Sequence, residues 1–386
     1  MKSKFAIKIT CLMVFIYAAC LFMPQAFAAQ EENTADYWSE KGMEYLDKKD
    51  FNSAELAFSE AIKLAPDDPR YYFSRGFSYY SNKQYDKALD DYSKVIELNP
   101  ENAVGYTFRG SSYIKLKQFD TAVTDLNKAI QLDPQSVLAY KQRSIAYFNL
   151  KQLDNALGDY TKMIELEPQN ASHYFSRALI YQHLEQDYQA TADYTKVIEL
   201  DPKHARAFYG RGLSYYRLQK YDQAVFDYTE TIKLDPKNEG VYYERALTYY
   251  KLKKYQQAIK DYSIFIELEP QYSTAYNNRA TAYEDLKQYD KALSDYSKAI
   301  ELDPTNALPY RGRGTTYHKL KQYDKALADF DKAIELNPKN VRGYKIRSKT
   351  YLELGQQDKA RADLEKVLEL DPSDEEVNAL LNELST

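Results

Sequence analysis

Cysteine and histidine are scarce in this chain of 386 residues. Both cysteines, Cys11 and Cys20, fall within the first 28 residues, so the remainder has no thiol for a disulfide or a thiolate metal site. The four histidines are His173, His183, His204 and His318. They share neither the spacing of metal ligands nor that of a catalytic triad. The sequence therefore predicts no metal, no cofactor and no catalytic residues, and the protein is predicted not to be an enzyme.

The chain also has fewer basic than acidic residues, 52 against 57, and its net charge is -5. Removing residues 1–28 would take away three lysines and no acid, leaving a net charge of -8. An acidic chain of this kind lacks the basic surface that binds phosphates. Nucleic acid is therefore not predicted as a partner.

Residues 1–28 differ in kind from the rest of the chain. Three lysines before residue 9 precede an apolar run, Ile9–Met23, and a small-x-small sequence that ends at Ala28. This order predicts a signal peptide cleaved after Ala28, followed by a short linker at 29–34, and hence export to the periplasm or cell envelope without a membrane span. Two alternatives stay open. One is an uncleaved anchor, although a bilayer needs roughly 20 apolar residues; the other is a lipid anchor at Cys20.

The most regular feature of the sequence is a repeat with a fixed period. Proline recurs every 34 residues, at Pro66, Pro100, Pro134, Pro168, Pro202, Pro236, Pro270, Pro304, Pro338 and Pro372. A period of this length indicates two-helix repeats that must stack on one another to bury their apolar faces. Taking each proline as position 32 gives ten repeats without linkers: 35–68, 69–102, 103–136, 137–170, 171–204, 205–238, 239–272, 273–306, 307–340 and 341–374.

The same residue types return at fixed positions within each repeat. Position 4 is aromatic, position 8 is small, position 11 is tyrosine and position 20 is alanine. Because positions 4, 8 and 11 share one helical face, as do 20, 24 and 27, each repeat is predicted to hold two facing amphipathic helices. After the tenth repeat, apolar residues at helical spacing predict a further helix within 375–386 that caps the stack.

This pattern resembles the tetratricopeptide repeat (TPR) over residues 35–374, and with the leader it is similar to exported bacterial members of that family. The resemblance implies an all-α fold, a right-handed α-solenoid (superhelix) of ten tandem helix–turn–helix repeats plus a C-terminal capping helix. It also implies a concave groove lined by positions 2, 5, 9, 12 and 13 of the first helices. The groove residues carried over in this way are Phe73, Phe77, Tyr80, Phe175, Leu179, Arg206, Tyr209, Leu213, Tyr216, Arg217, Tyr243, Leu247, Tyr250 and Lys251.

One position departs from the family, which usually has leucine at position 7. Nine repeats have arginine there, and the same nine have aspartate at position 23, whereas the first repeat has Lys41 and Ala57. Position 23 lies on the face that points toward the first helix, which predicts an ion pair between the two helices of each repeat. Simple duplication of both residues is the alternative.

The predicted groove is more basic than the chain as a whole, with eleven basic and five acidic residues at its positions, Arg311 and Arg342 among the basic ones. The predicted function is a non-catalytic protein–protein interaction scaffold of the bacterial cell envelope. Its groove would bind a peptide or protein segment that is acidic and carries aromatic residues. The alternatives are aromatic residues packed as core, a solvated mixed face, and a polysaccharide-binding component of a carbohydrate assembly or export system.

Overall fold

The computed structural model of the protein describes residues 34–384, which form helices joined by short turns and contain no strand. The predicted signal peptide lies outside the described residues, as does almost all of the predicted linker. The described residues divide into two compact bodies, 34–166 and 167–384. They are called the N-terminal and C-terminal bodies below.

The described part of the N-terminal body is a stack of four helix pairs, one for each of the first four repeats. Its helices are α1 (Ala35–Asp47), α2 (Phe51–Leu64), α3 (Pro69–Ser81), α4 (Tyr85–Leu98), α5 (Ala103–Lys115), α6 (Phe119–Leu132), α7 (Val137–Asn149) and α8 (Leu153–Leu166). In each repeat the first helix covers positions 1 to 13 and the second covers positions 17 to 30.

The C-terminal body continues the pattern with six pairs and one last helix. Its helices are α9 (Ala171–His183), α10 (Asp187–Leu200), α11 (Ala205–Arg217), α12 (Tyr221–Leu234), α13 (Glu239–Lys251), α14 (Tyr255–Leu268), α15 (Ser273–Asp285), α16 (Tyr289–Leu302), α17 (Ala307–Lys319), α18 (Tyr323–Leu336), α19 (Val341–Glu353), α20 (Gln357–Leu370) and α21 (Glu375–Glu383). The predicted all-α fold of tandem helix–turn–helix repeats is thus confirmed.

Local chemistry fixes both ends of the first helices. At most junctions a polar side chain at position 34 caps the next helix, as where Asn102 Oδ1 accepts from the Gly105 N–H at 2.8 Å. Asn238 and Tyr272 make no such bond. At position 15 the backbone turns left-handed, with φ 62° at Lys83. The next N–H, that of Gln84, then bonds back to the carbonyl of Tyr79 at 2.8 Å. This left-handed cap reverses the chain into the second helix.

The two helices of a repeat interlock through a small residue and a large one. A Cβ placed on Gly212 would lie 2.7 Å from Cε1 of Tyr228, whose side chain is completely buried. Tyr228 packs with Ala224 and with Val241 of the next repeat. Close approach at position 8 therefore makes room for the aromatic ring at position 24, which joins the core of successive repeats.

The predicted ion pairs form, and they reach further than predicted. Arg211 Nε and Nη2 both donate to Asp227 at 2.8 Å, while Nη1 donates at 3.0 Å to Thr195 Oγ1 on the second helix of the preceding repeat. The guanidinium also lies over the rings of Phe208 and Tyr215. Each arginine thus connects its own two helices, and Arg211 also connects them to the preceding repeat.

The same forked contact recurs along both bodies, and we call the set the arginine ladder. Its pairs are Arg75–Asp91, Arg109–Asp125, Arg143–Asp159, Arg177–Asp193, Arg211–Asp227, Arg245–Asp261, Arg279–Asp295, Arg313–Asp329 and Arg347–Asp363. Burial acts to lower the pKa of the Arg211 guanidinium, but its hydrogen bonds to Asp227 leave that pKa raised. The arginine therefore stays charged inside the stack.

The last helix covers the open end of the final repeat. Val377 on α21 is buried and packs against Tyr344, Leu364 and Val367, with the leucines of α21 around them. Arg361 Nη2 donates to the carbonyl of Leu384 at 2.6 Å. The helix within the predicted 375–386 segment therefore shields a face that a further repeat would otherwise cover.

Candidate functional site

The first helices of the C-terminal body form one continuous surface. Each second helix packs against the first helix of its own repeat and that of the next, whereas neighbouring first helices also meet one another directly. The second helices show no comparable approach to each other within residues 167–384. The first helices therefore lie on the inner side of this stack, where a groove can form.

Contacts between neighbouring first helices involve the predicted groove positions. The Tyr250 hydroxyl at position 12 donates to Asp285 at 2.7 Å. Asn278, at the adjacent position 6, donates through Nδ2 to the hydroxyl of Tyr243, at groove position 5, at 3.1 Å. Lys319 at position 13 contacts Glu284 at 2.7 Å. These residues are 35 positions apart in each case, so the groove positions face one another from repeat to repeat.

Six predicted residues form one apolar patch on α11 and α13, which we call the aromatic cluster. Its members are Tyr209, Leu213, Tyr216, Tyr243, Leu247 and Tyr250. All are half-buried and pack on core residues of their own repeats. The Tyr209 and Tyr228 ring centroids lie 6.1 Å apart, and those of Tyr243 and Tyr262 lie 5.9 Å apart. The rings thus extend the core while part of each reaches solvent.

The remaining predicted residues of this body flank the cluster. Phe175 on α9 lies against the His204 ring at 4.8 Å, with the Arg206 guanidinium over its face at 5.2 Å. Leu179 is 42% exposed. Arg217 donates to the Gln182 carbonyl at 3.1 Å and lies 3.5 Å from Asp187, whereas Lys251 is exposed. Arg217 is therefore partly engaged within the chain.

Three predicted residues belong to the N-terminal body and form a separate set. Phe73 and Phe77 on α3 pack edge-on against Phe108 of the next first helix, at 5.1 and 6.1 Å between ring centroids. Tyr80 meets Tyr85 at 5.5 Å. The sequence-predicted residues thus form two patches, one in each body, and the larger is the aromatic cluster.

Sequence reasoning missed an acid beside the aromatic cluster. Glu244, at position 6 of α13, is half-buried, and its carboxylate makes no hydrogen bond or ion pair within residues 34–384. Burial raises the pKa of this carboxyl, against the opposing effect of Arg217. The hydroxyl of Tyr228 nearby is buried and has no hydrogen-bond partner in the described chain. Position 6 is not one of the predicted groove positions, so the sequence analysis did not single out Glu244. The only sign of this site in the sequence is the acidic residue itself.

A polar cleft of 610 Å³ opens where α15, α17 and α19 end. Its walls are Glu284, Asp285, Lys287, Tyr289, His318, Lys319, Lys321, Tyr323 and Glu353. Burial lowers the pKa of His318, whose Nδ1 lies 3.0 Å from the Thr350 hydroxyl. The cleft lies at groove positions 12 and 13, which Glu284, Asp285, His318, Lys319 and Glu353 occupy, although none of the groove residues named individually from the sequence lines it. Lys319 and Glu284 form an ion pair in it at 2.7 Å.

Two further properties of the described residues bear on the site. Residues 34–384 contain no group of histidine, cysteine and acidic side chains placed to hold a metal ion. Within the same range no helix combines the length and the apolar character that crossing a bilayer requires.

Tandem helix pairs that share a core from repeat to repeat define an α-solenoid. Family models for the tetratricopeptide repeat match 35–68, 69–102, 171–204, 205–238, 240–272, 273–306, 307–340 and 330–362, and a TPR repeat model matches 110–151. The chain belongs to the tetratricopeptide repeat family. Proteins of this family are typically non-enzymatic scaffolds for protein interactions.

Solved structures of other solenoids are similar in part. YrrB, described as a TPR protein with an unusual peptide-binding site, is 27% identical over 46% of this chain and 92% of its own, with a TM-score of 0.43. A chain of the APC/C hetero-tetramer Cut9–Hcn1 is 15% identical over 91% of this chain and 96% of its own, with a TM-score of 0.47. Yeast Tom70 is 20% identical over 91% of this chain and 95% of its own, with a TM-score of 0.41. No curated protein matches the chain.

Proposed function

We propose that this protein is a non-catalytic scaffold that binds a peptide or protein segment on the first helices of its C-terminal body, at the aromatic cluster. The observation that carries the proposal is the cluster itself. Six tyrosine and leucine side chains on the first helices α11 and α13 are half-buried, so part of each stays in contact with solvent on the inner side of the stack. Contiguous tyrosines that offer both an apolar face and a hydroxyl are typical of protein-binding surfaces.

Polar groups at the edges of the cluster suit a peptide backbone. The unpaired Glu244 carboxylate can accept backbone N–H groups. Asn277 and Asn278 form a short hydrogen-bonded chain with the Tyr243 hydroxyl, and their amides have capacity left for backbone carbonyls. An extended segment would therefore find apolar contacts along its side chains and partners for its main chain.

Replacing Tyr216 and Tyr250 together with alanine tests the proposed site. A peptide selected on the purified chain from a displayed library of random linear peptides should then bind about tenfold more weakly or worse, because aromatic anchors carry much of the binding energy at such surfaces. The matched control is Tyr188→Ala on α10, since this tyrosine is 67% exposed but lies on a second helix. Affinity is measured by titration calorimetry, with melting curves to confirm folding.

Two results would contradict the proposal. One is unchanged affinity in the double variant together with loss in the Tyr188 variant. The other is a library that yields no binder while a glycan array does, a result that would favour the polysaccharide-binding alternative, since tyrosine rings also stack on sugars.

We further propose that the protein is exported to the bacterial periplasm or cell envelope after cleavage at Ala28. The lysines, the apolar run and the small residues of the leader support this location. Mass spectrometry of the protein from separated cell fractions should find an N-terminus at Ala29 in the envelope or periplasmic fraction. An intact leader, or a lipid-modified Cys20, would support one of the two anchored alternatives instead.

A further inference from the structure

Among residues 167–384, Arg311 is the one arginine outside the arginine ladder that lies half-buried on a first helix. It occupies position 5 of α17, the position that Tyr209 and Tyr243 hold in the aromatic cluster. Its guanidinium has no hydrogen-bond acceptor and no carboxylate within bonding distance among residues 34–384. Arg342, at position 2 of α19, is the neighbouring charge, and its guanidinium is likewise unpaired in the described chain.

Two other bases near Arg311, Lys345 and Lys319, are paired within the chain. Lys345 holds position 5 one repeat later and contacts Asp374 at 2.5 Å and Glu376 at 3.4 Å. Lys319, on the same helix as Arg311, contacts Glu284 at 2.7 Å. Within the described residues, Lys345 and Lys319 therefore have acidic partners, whereas Arg311 and Arg342 have none.

An unpaired guanidinium in this position is costly. Burying a charge removes water from it, and the loss is compensated only by an opposite charge or by hydrogen bonds. Burial, together with the like charge of Arg342, lowers the pKa of Arg311. An anionic group bound between the two arginines would restore the missing partner, and the planar fork of a guanidinium fits a carboxylate.

We propose that Arg311 and Arg342 form a subsite for the carboxylate of an aspartate or glutamate side chain in the segment bound at the aromatic cluster. This inference rests on the proposed function and assigns the acidic preference to two residues. It separates the groove into an aromatic end on α11 and α13 and a cationic end on α17 and α19.

The separation of the two ends sets the spacing in the bound segment. Arg311 lies two first helices beyond Tyr243 at the same repeat position. Packed helices lie about 8–10 Å apart, and an extended chain advances about 3.3 Å per residue, so the two steps correspond to about five or six residues. An apolar or aromatic residue should therefore precede or follow the acid at about that distance.

The test uses peptides selected on the purified full chain from the same displayed library. Binders should be enriched in an acidic residue at that spacing from an apolar one. Arg311→Gln should weaken the best binder about tenfold or more, since a charge-assisted pair is lost, and glutamate to glutamine in the peptide should have the same effect. In the Arg311→Gln variant, the same glutamate-to-glutamine change in the peptide should weaken binding only slightly, because the carboxylate has already lost its partner. Lys237→Gln, in the turn between α12 and α13, removes an equal charge elsewhere and should leave affinity unchanged.

The outcomes separate this subsite from the proposed function. Loss of binding in the tyrosine double variant with no change in Arg311→Gln would overturn the subsite and leave the groove in place. Loss in neither would overturn both. A peptide whose affinity falls only when its C-terminus is amidated, or a selection that favours phosphorylated peptides, would overturn the assignment to an acidic side chain.

Discussion

Asp227→Ala is expected to destabilise the C-terminal body by about 3–5 kcal/mol, because it leaves the Arg211 guanidinium in the stack without its partner. Asp227 is completely buried, and both of its oxygens accept from the arginine. Arg211→Leu should cost a similar amount, since it leaves the buried carboxylate uncompensated. It also breaks the contact to Thr195 on the preceding repeat.

The double variant, Arg211→Leu with Asp227→Ala, should be more stable than the sum of the two single losses predicts, because it leaves no lone charge behind. Repeat arrays need not unfold in one step, so hydrogen exchange at the amides of α11 and α12 is the appropriate measurement. The control is the exposed pair Lys233–Glu230 on α12, where removal of either partner should cost about 0–1 kcal/mol. Two neutral single variants and an additive double would contradict the ladder.

Gly212→Val should destabilise the same repeat by about 1–3 kcal/mol or more, through crowding rather than charge. The Cβ alone would lie 2.7 Å from Tyr228 Cε1. Tyr228 cannot move aside, because it is enclosed by Ala224 and by Val241 of the next repeat. Local exchange protection on α11, α12 and α13 should fall together, since the ring is shared between successive repeats.

Gly158→Val on α8 is the matched control. No atom lies within 4 Å of the position of its Cβ, and the residue is exposed. Because valine has a higher helix propensity than glycine, this substitution should be neutral or slightly stabilising. If both valine variants had the same effect, close packing against the position-24 ring would not account for the glycines at position 8.

The helix boundaries follow from the sequence because the period fixes them. A proline at position 32 and a cap at position 34 recur, so each helix of a repeat begins and ends at the same positions as its counterparts. The start of the second helix is less easily predicted. Aspartate is a favoured N-cap residue, but Asp86 is the second residue of α4, and the N-cap residue Gln84 makes no side-chain cap bond. Histidine is not among the favoured caps, yet His204 caps α11 through its Nδ1.

The arginine ladder shows that an analysis of one repeat does not predict the contacts between successive repeats. Arginine at position 7 and aspartate at position 23 were matched correctly, because both lie on facing helices of one repeat. The third contact, from Nη1 to position 25 of the preceding repeat, was missed. Its signal was available, since Ser59, Ser93, Thr195 and Thr229 all place a hydroxyl at that position.

The candidate site could be read from the sequence only as a set of positions. Spacing placed Tyr209 and Tyr243 on the first helices, and the contacts between neighbouring first helices agree with that placement. Pairing and burial depend on three-dimensional packing. Glu244 has no basic partner and Arg311 has no acidic partner, whereas Lys319 and Lys345 each contact an acid. The numbers of acidic and basic residues in the sequence do not distinguish these cases.

The most direct test of the account is to map where a selected peptide lies on the chain. The best binder from the displayed library is synthesised with a photo-crosslinking group beside its apolar residue, and the crosslinked residues are identified by mass spectrometry. The account predicts crosslinks on the inner face of α11 and α13, around Leu213 and Tyr216. Crosslinks confined to the second helices, for example around Phe226, which is 58% exposed on α12, would contradict it.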